Sequence, residues 1–180
     1  MDYWAFSDVF EEQGVVRSPF YGGFGLLAAD HIEKPSLNVF RVLHQLGDKR
    51  LAVTSDSALA TTTKNGGLAL ALWNYAPPDG TGAAYTMPKG PGAPTKRFSL
   101  EFRHFPSNAA VDLLRVDDDH GNVIRAFNAM GRPSTDLTVA QVKTLRAAGA
   151  MSPAEHMHLD HGTLNVLVPP HGLLLVLLAR

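Results

Sequence analysis

From Leu68 to Leu72 the chain reads Leu-Ala-Leu-Ala-Leu, and just upstream Asn65-Gly66 separates this run from the β-branched stretch Thr61 to Thr63. Period-two alternation marks a strand with two unlike faces, and Asn-Gly marks the tight turn of a hairpin. RFSLEFRHF repeats the alternation with Phe98, Leu100 and Phe102 against polar neighbours. AAVDLLRVD reads as a further strand, closed by the polar turn Asp117 to Asn122. GTLNVLVPPHGLLLVLLAR adds two more around Pro169-Pro170. Its apolar run from Leu173 to Ala179 is of strand length, far short of the ~20 residues of a membrane span. Two segments switch to helical spacing: VIRAFNAMG, then TVAQVKTLRAAG behind a cap at Asp136 or Thr138. Five or six short strands with turn-rich links predict an antiparallel β-sandwich carrying short helices.

The first 48 residues follow another plan. Tyr3, Trp4, Ala5 and Phe6 read as a buried strand, and Ser7 to Gly14 turns polar with Glu11 and Glu12 adjacent. After a long loop, Leu37, Phe40, Val42, Leu43 and Leu46 recur on one helical face. Ser36 is the expected cap and Gly47 the expected stop. One strand and one helix cannot bury both their faces, so this segment needs a partner. The organisation expected is a strand-loop-helix unit over 1–48 and a β-sandwich domain over 49–180.

Composition narrows the function. With 45% apolar residues the chain can build a real core. Its 17 acidic and 16 basic residues nearly cancel, which leaves no footprint for nucleic acid. No membrane association is expected. The absence of cysteine excludes disulfides, thiolate metal sites and cysteine nucleophiles. With no signal peptide visible, a cytoplasmic location is favoured.

Three strings carry candidate chemistry. Gly23-Phe24-Gly25-Leu26-Leu27-Ala28 matches GxGxxA, but the dinucleotide fingerprint needs a preceding strand and a helix opening within it. The glycines are better read as letting a loop fold back tightly, and no cofactor is expected. His156, His158, Asp160 and His161 fit HxHxDH, a pattern of metallo-β-lactamase-like hydrolases, and that donor set suits zinc. There a hydrophobic strand leads in and a helix leaves; here AAGAMSPAE leads in and GTLNVLV leaves. No physiological metal site is therefore expected, with a metal-dependent hydrolase as the minor alternative. Trp73 and Tyr75 alternate onto one face and offer stacking surfaces if the sandwich binds glycans by itself, although core or barrel-facing packing is the expectation.

YWAFSDVFEE, PFYGGFGL and the KPS-N-F helix, followed by LALALWNYA, VDDDHGNVIRAFNAMGRP, TVAQVKTLRAA and VPPHGL, closely resemble glycoside hydrolase family 39 in order and spacing. This is the β-xylosidase and α-L-iduronidase family, and the bacterial β-xylosidases fit best. The resemblance implies a (β/α)₈ barrel followed by a β-sandwich. A barrel takes roughly 250 residues. Residues 1–48 then correspond to its eighth strand, loop and helix, left over from an incomplete barrel, and the chain to the C-terminal portion of such an enzyme.

The family hydrolyses glycosides with retention, using two glutamates that the resemblance places on earlier barrel strands. No catalytic residue is then expected in this chain, which is expected to be inactive alone. What it implies here is part of the sugar-binding wall. Trp4 floors a subsite, Glu11 or Glu12 accepts sugar hydroxyls, and Asp8 orients the loop or touches sugar. The partners implied are a xylo-oligosaccharide and the barrel portion. A lone barrel unit would expose two strand edges and leave the helix face around Phe40 and Leu43 wet. Poor solubility, or self-association through residues 1–48, is the expected consequence unless that segment docks on the sandwich.

Overall fold

The computed structural model describes residues 5–9, 18–21, 23–76, 94–133 and 136–179. It is mainly β, with antiparallel sheets and three α-helices. Two minimal strands, β1 (Leu27–Ala28) and β2 (Ile32–Glu33), precede helix α1 (Pro35–Leu43). Then come β3 (Lys49–Leu51), β4 (Ala58–Thr62), β5 (Leu68–Trp73), β6 (Lys96–Glu101) and β7 (Ala110–Val116). Helices α2 (Val123–Ala129) and α3 (Val139–Gly149) follow, and the chain closes with β8 (Glu155–His158), β9 (Thr163–Val168) and β10 (Leu173–Leu178).

Six strands form the main sheet in the order β3-β4-β5-β10-β7-β8, and β6 pairs with β9 in a second sheet. The alternation in β5 explains how the layers stack. Leu70 and Leu72 point between the sheets, where they meet Leu113, Leu164, Val166, Leu174 and Val176. Ala69 and Ala71 point the other way, beneath α1. Alanine there lets the helix approach, and Val39, Val42, Leu43 and Leu46 pack against it with Leu173 and Leu175. β10 is therefore apolar on both faces. A third cluster joins Ala28 and Ile32 to Val123 and Phe127 of α2 and Leu145 of α3, with Phe20 meeting the Phe127 ring edge-on at 4.8 Å.

The hairpin at Asn65-Gly66 forms, with Gly66 at φ 77° and β4 antiparallel to β5. Thr138 caps α3 in a full capping box with Gln141, so of the two expected caps it is Thr138 that serves. Other expectations give way. Lys34, not Ser36, stands at the N-cap of α1, because Pro35 takes the first helical position, where a missing N–H costs nothing. The helix ends at Leu43, before Gly47. Gly47 instead sits against the Thr62 carbonyl, where a side chain has no room, and its N–H donates to the Thr61 hydroxyl at 2.8 Å. Of the helix face expected to be wet, Leu43 packs on the sheet with Val39, Val42 and Leu46. Tyr3 and Trp4 lie outside the described residues, while Phe6, expected to be buried, is 67% exposed.

The motifs after α1 meet through two buried asparagines. Asn38 on α1 donates to the carbonyls of Gly121 at 2.9 Å and Gly149 at 2.7 Å, tying the helix to the turn before α2 and the end of α3. Asn74, just past β5, donates to the carbonyls of Pro94 and Val168 at 2.9 and 3.0 Å. Its own backbone closes on Gly172 and His171, so the WNYA and VPPHG segments clasp each other.

The alanine face makes a test. Ala71→Leu forces extra methylenes under α1 and is expected to cost about 1–3 kcal/mol, read as a lower urea midpoint. An unchanged midpoint would show that the helix does not rest there.

Candidate functional site

Asp8 closes the base of the loop between the N-terminal stretch and β1. Its backbone N–H donates to the Leu27 carbonyl at 2.8 Å, and Leu27 N–H donates back to Phe6 at 3.0 Å, beside a parallel bridge from Ser7 to Leu27. The side chain is fully buried. Its Oδ1 accepts from the Gly25 N–H at 2.6 Å and from Lys34 Nζ at 2.7 Å. Lys34 Nζ also donates to the Gly23 carbonyl at 2.8 Å. One ammonium thus neutralises the carboxylate and pins the glycine loop. Asp8 Oδ2 is the one buried side-chain oxygen among the described residues with no hydrogen-bond partner. Leaving a group so placed costs about 1–3 kcal/mol.

The glycines of the GxGxxA match are explained by this base. A Cβ on Gly25 would lie 2.2 Å from the Asp8 nitrogen, and one on Gly23 would lie 2.6 Å from Asp8 Oδ1. Only hydrogen at both positions lets the loop reach Asp8. The Tyr21 hydroxyl donates to the Asp8 carbonyl at 3.3 Å. Burial, and then the negative charge of Asp8, push the Tyr21 phenol above its ordinary value. The Glu33 carboxylate is held by Arg41, whose Nη2 donates to Oε1 at 2.7 Å.

Of the residues expected to face sugar, Trp4, Glu11 and Glu12 lie outside the described residues. Asp8 is described, and it faces Gly25 and Lys34. Sequence reasoning missed Lys34, Asn38 and Asn74. A lone asparagine between Leu37 and Val39, on an otherwise apolar helix face, was the signal available for Asn38.

The histidine string does not converge. His156 Nδ1 lies 2.6 Å from Asp112 Oδ1 on the neighbouring strand. His158 is exposed at the end of β8. Asp160 has left the strand and closes a tight turn with Thr163, and His161 follows at φ 49°. Among the described residues no three His, Asp or Glu side chains are grouped so as to hold a metal ion. The aromatic pair separates too: Trp73 packs in the cluster under α1, whereas Tyr75 is 68% exposed beyond the end of β5.

Residues 1–158 match the family model described as Glycosyl hydrolases family 39. The chain is 33% identical over 166 residues to the Beta-xylosidase of Geobacillus stearothermophilus, a match spanning 92% of this chain and 30% of that protein. It is 29% identical over 132 residues to the Beta-xylosidase of Caldicellulosiruptor saccharolyticus, spanning 73% of this chain and 26% of that one. The chain thus spans less than a third of either relative. A crystal structure of a monomeric beta-xylosidase from Caulobacter crescentus CB15 shares its fold with a TM-score of 0.84 at 24% identity, covering 100% of this chain and 37% of that one. The GH39 enzyme from Xanthomonas axonopodis pv. citri gives 0.77 at 24% identity, with coverage of 100% and 37%.

Two outcomes follow from the loop base. Lys34→Met strands a buried carboxylate, and removing one partner of a buried pair costs about 3 kcal/mol or more. Amide exchange at Gly25 and Leu27 should accelerate by at least a hundredfold, and Asp8→Asn in the same background should restore part of the protection. Unchanged exchange would mean the pair holds nothing. For Tyr21 the folded pKa exceeds the unfolded one, so its contribution is present below the unfolded value of 10.0 and is lost as pH rises through the folded one. Tyr21→Phe should flatten the fall in unfolding midpoint between about pH 9 and 12. It should also remove a late component of the phenolate absorbance titration.

Proposed function

Because the chain belongs to glycosyl hydrolases family 39, we propose that it is the C-terminal portion of a retaining β-xylosidase that releases terminal xylose from xylo-oligosaccharides. The observation that carries this reading is the 33% identity, over 92% of the chain, to a protein named Beta-xylosidase. In this reading residues 1–48 are the last strand, loop and helix of a (β/α)₈ barrel, and residues 49–180 are the sandwich that follows it. The parallel bridge from Ser7 to Leu27 and the docking of α1 on the main sheet support a single packed unit at this junction.

The roles divide by what each side chain offers. Trp4 presents a flat apolar ring to the C–H face of a pyranose, and its indole N–H to a hydroxyl. Glu11 or Glu12 accepts hydrogen bonds from sugar hydroxyls, which fixes the ring's orientation as well as its affinity. Asp8 positions the loop and does not touch sugar; its complete burial and its bonds to Gly25 and Lys34 support that role.

Glu11 and Glu12 do not form the catalytic pair. Retention needs two carboxyl groups roughly 5 Å apart on opposite sides of the scissile bond, and adjacent residues of one loop do not flank a sugar. The acid/base and the nucleophile come from outside this chain, which is therefore silent by itself. Purified chain incubated with an aryl β-xyloside should release no more phenol than a heat-denatured control. Turnover above that control, abolished by Glu11→Gln or Glu12→Gln, would overturn the division of roles.

A further inference from the structure

Asp112 breaks the pattern of its strand. On the same face of β7, Leu114 and Val116 pack in the cluster under α1. Asp112 stands instead with Leu177 of β10 on one side and His156 of β8 on the other. Carboxylates are depleted inside strands, and a residue that breaks a local rule without a packing gain points to function.

Helix α1 ends at Leu43, and the sheet face runs on beyond it. A cleft of about 470 Å³ opens there. Thr63 and Asn65, at the turn between β4 and β5, and Asp112, on β7, line it to either side of half-buried Leu177 on β10. Gln45, just past the helix, completes the polar set. Asp112 Oδ1 lies 2.6 Å from His156 Nδ1. Among the described residues, the other Asp112 oxygen and the side chains of Gln45, Thr63 and Asn65 make no hydrogen bond.

The donor set selects the ligand class. No Lys or Arg lines the cleft, so an anion finds no counter-charge among its described residues. No three His, Asp or Glu side chains of the described residues are grouped to hold a cation. Two amides and a hydroxyl each donate and accept, and the free carboxylate oxygen accepts. Leu177 and Ala110 add apolar surface. Hydroxyls along its edges and C–H groups on its faces make a sugar ring the complement of such a cleft.

We propose that this cleft binds a neutral sugar chain, and that in this protein the chain is a short xylo-oligosaccharide. His156 holds Asp112 in place, and Gln45, Thr63, Asn65 and Asp112 bond the hydroxyls. The choice of xylose rests on the β-xylosidase reading; the cleft does not.

The test titrates xylotriose into the isotopically labelled 180-residue chain and follows backbone amide shifts. Saturable shifts at Asn65, Ala110, Asp112 and Leu177 are expected. Asp112→Ala and Gln45→Ala should each weaken binding by about tenfold, as the loss of a hydrogen bond to the ligand would. Gln45 is exposed, so its variant keeps the test open if Asp112→Ala unfolds the sheet. Lys143→Ser on α3 should change nothing. Absence of shifts, equal binding by all variants, or shifts confined to Gly25 and Leu27 would each overturn the cleft, the last while leaving the wall of Trp4, Glu11 and Glu12 standing. Shifts at the cleft amides with maltotriose but not with xylotriose would keep the sugar cleft and sink the xylose reading.

Discussion

β10 has no solvent face, and the rest of the molecule is arranged to satisfy that. Leu174, Val176 and Leu178 are buried between the sheets, while Leu173 and Leu175 are buried under α1. Each such side chain is worth about 1.5–3 kcal/mol when removed from water. A strand of this kind cannot stand at the edge of a two-layer sandwich. It must lie centrally, between β5 and β7, and it must have a helix on its outer side. α1 supplies that helix. The N-terminal segment is therefore a layer of the same core and not an appendage to it.

Once α1 is fixed, buried polar side chains transmit its position. Asn38 has two carbonyls to satisfy, one before α2 and one at the end of α3. Gly121, at φ 60°, stands against the Asn38 amide, where a side chain would crowd it. Lys34, one residue before the helix, reaches Asp8 and so fixes the loop base. The path from the main sheet to the glycine loop thus runs through buried Asn38 and Asp8 and part-buried Lys34, each with named partners. In low dielectric such bonds are strong when complete and costly when broken. Those bonds give the glycine loop a defined base.

The antiparallel sheets were legible wherever one physical rule acted alone. Alternation in β5 and β6, the Asn-Gly turn and the Thr138 cap all appear as expected, because each is set within a few residues. The edges were not legible. β3 is Lys-Arg-Leu and β8 is Glu-His-Met-His, and neither has an apolar pattern, since edge strands are held by pairing to an already formed neighbour. Phe6 misled because apolar character does not by itself ensure burial, and single apolar side chains do stand exposed. The start of α1 shifted because Pro35 outranks a serine cap. The residues expected to face sugar could be named only by resemblance, because no local rule distinguishes Glu11 from Glu12.

Four described carboxylates are taken up by the fold itself. Asp8 is neutralised by Lys34 and closed to solvent. Glu33 is held by Arg41, Glu155 by Arg115, and Asp117 by His120 and the backbone of its own turn. Each sits in an ion pair or a turn, and these bonds bring no two of them together across an open cleft. A retaining glycosidase needs one carboxyl group that donates a proton and another that attacks, facing each other across the substrate. Salt-bridged carboxylates hold a fold in place and do neither task. Asp8, Glu33, Glu155 and Asp117 are therefore committed to holding the fold in place.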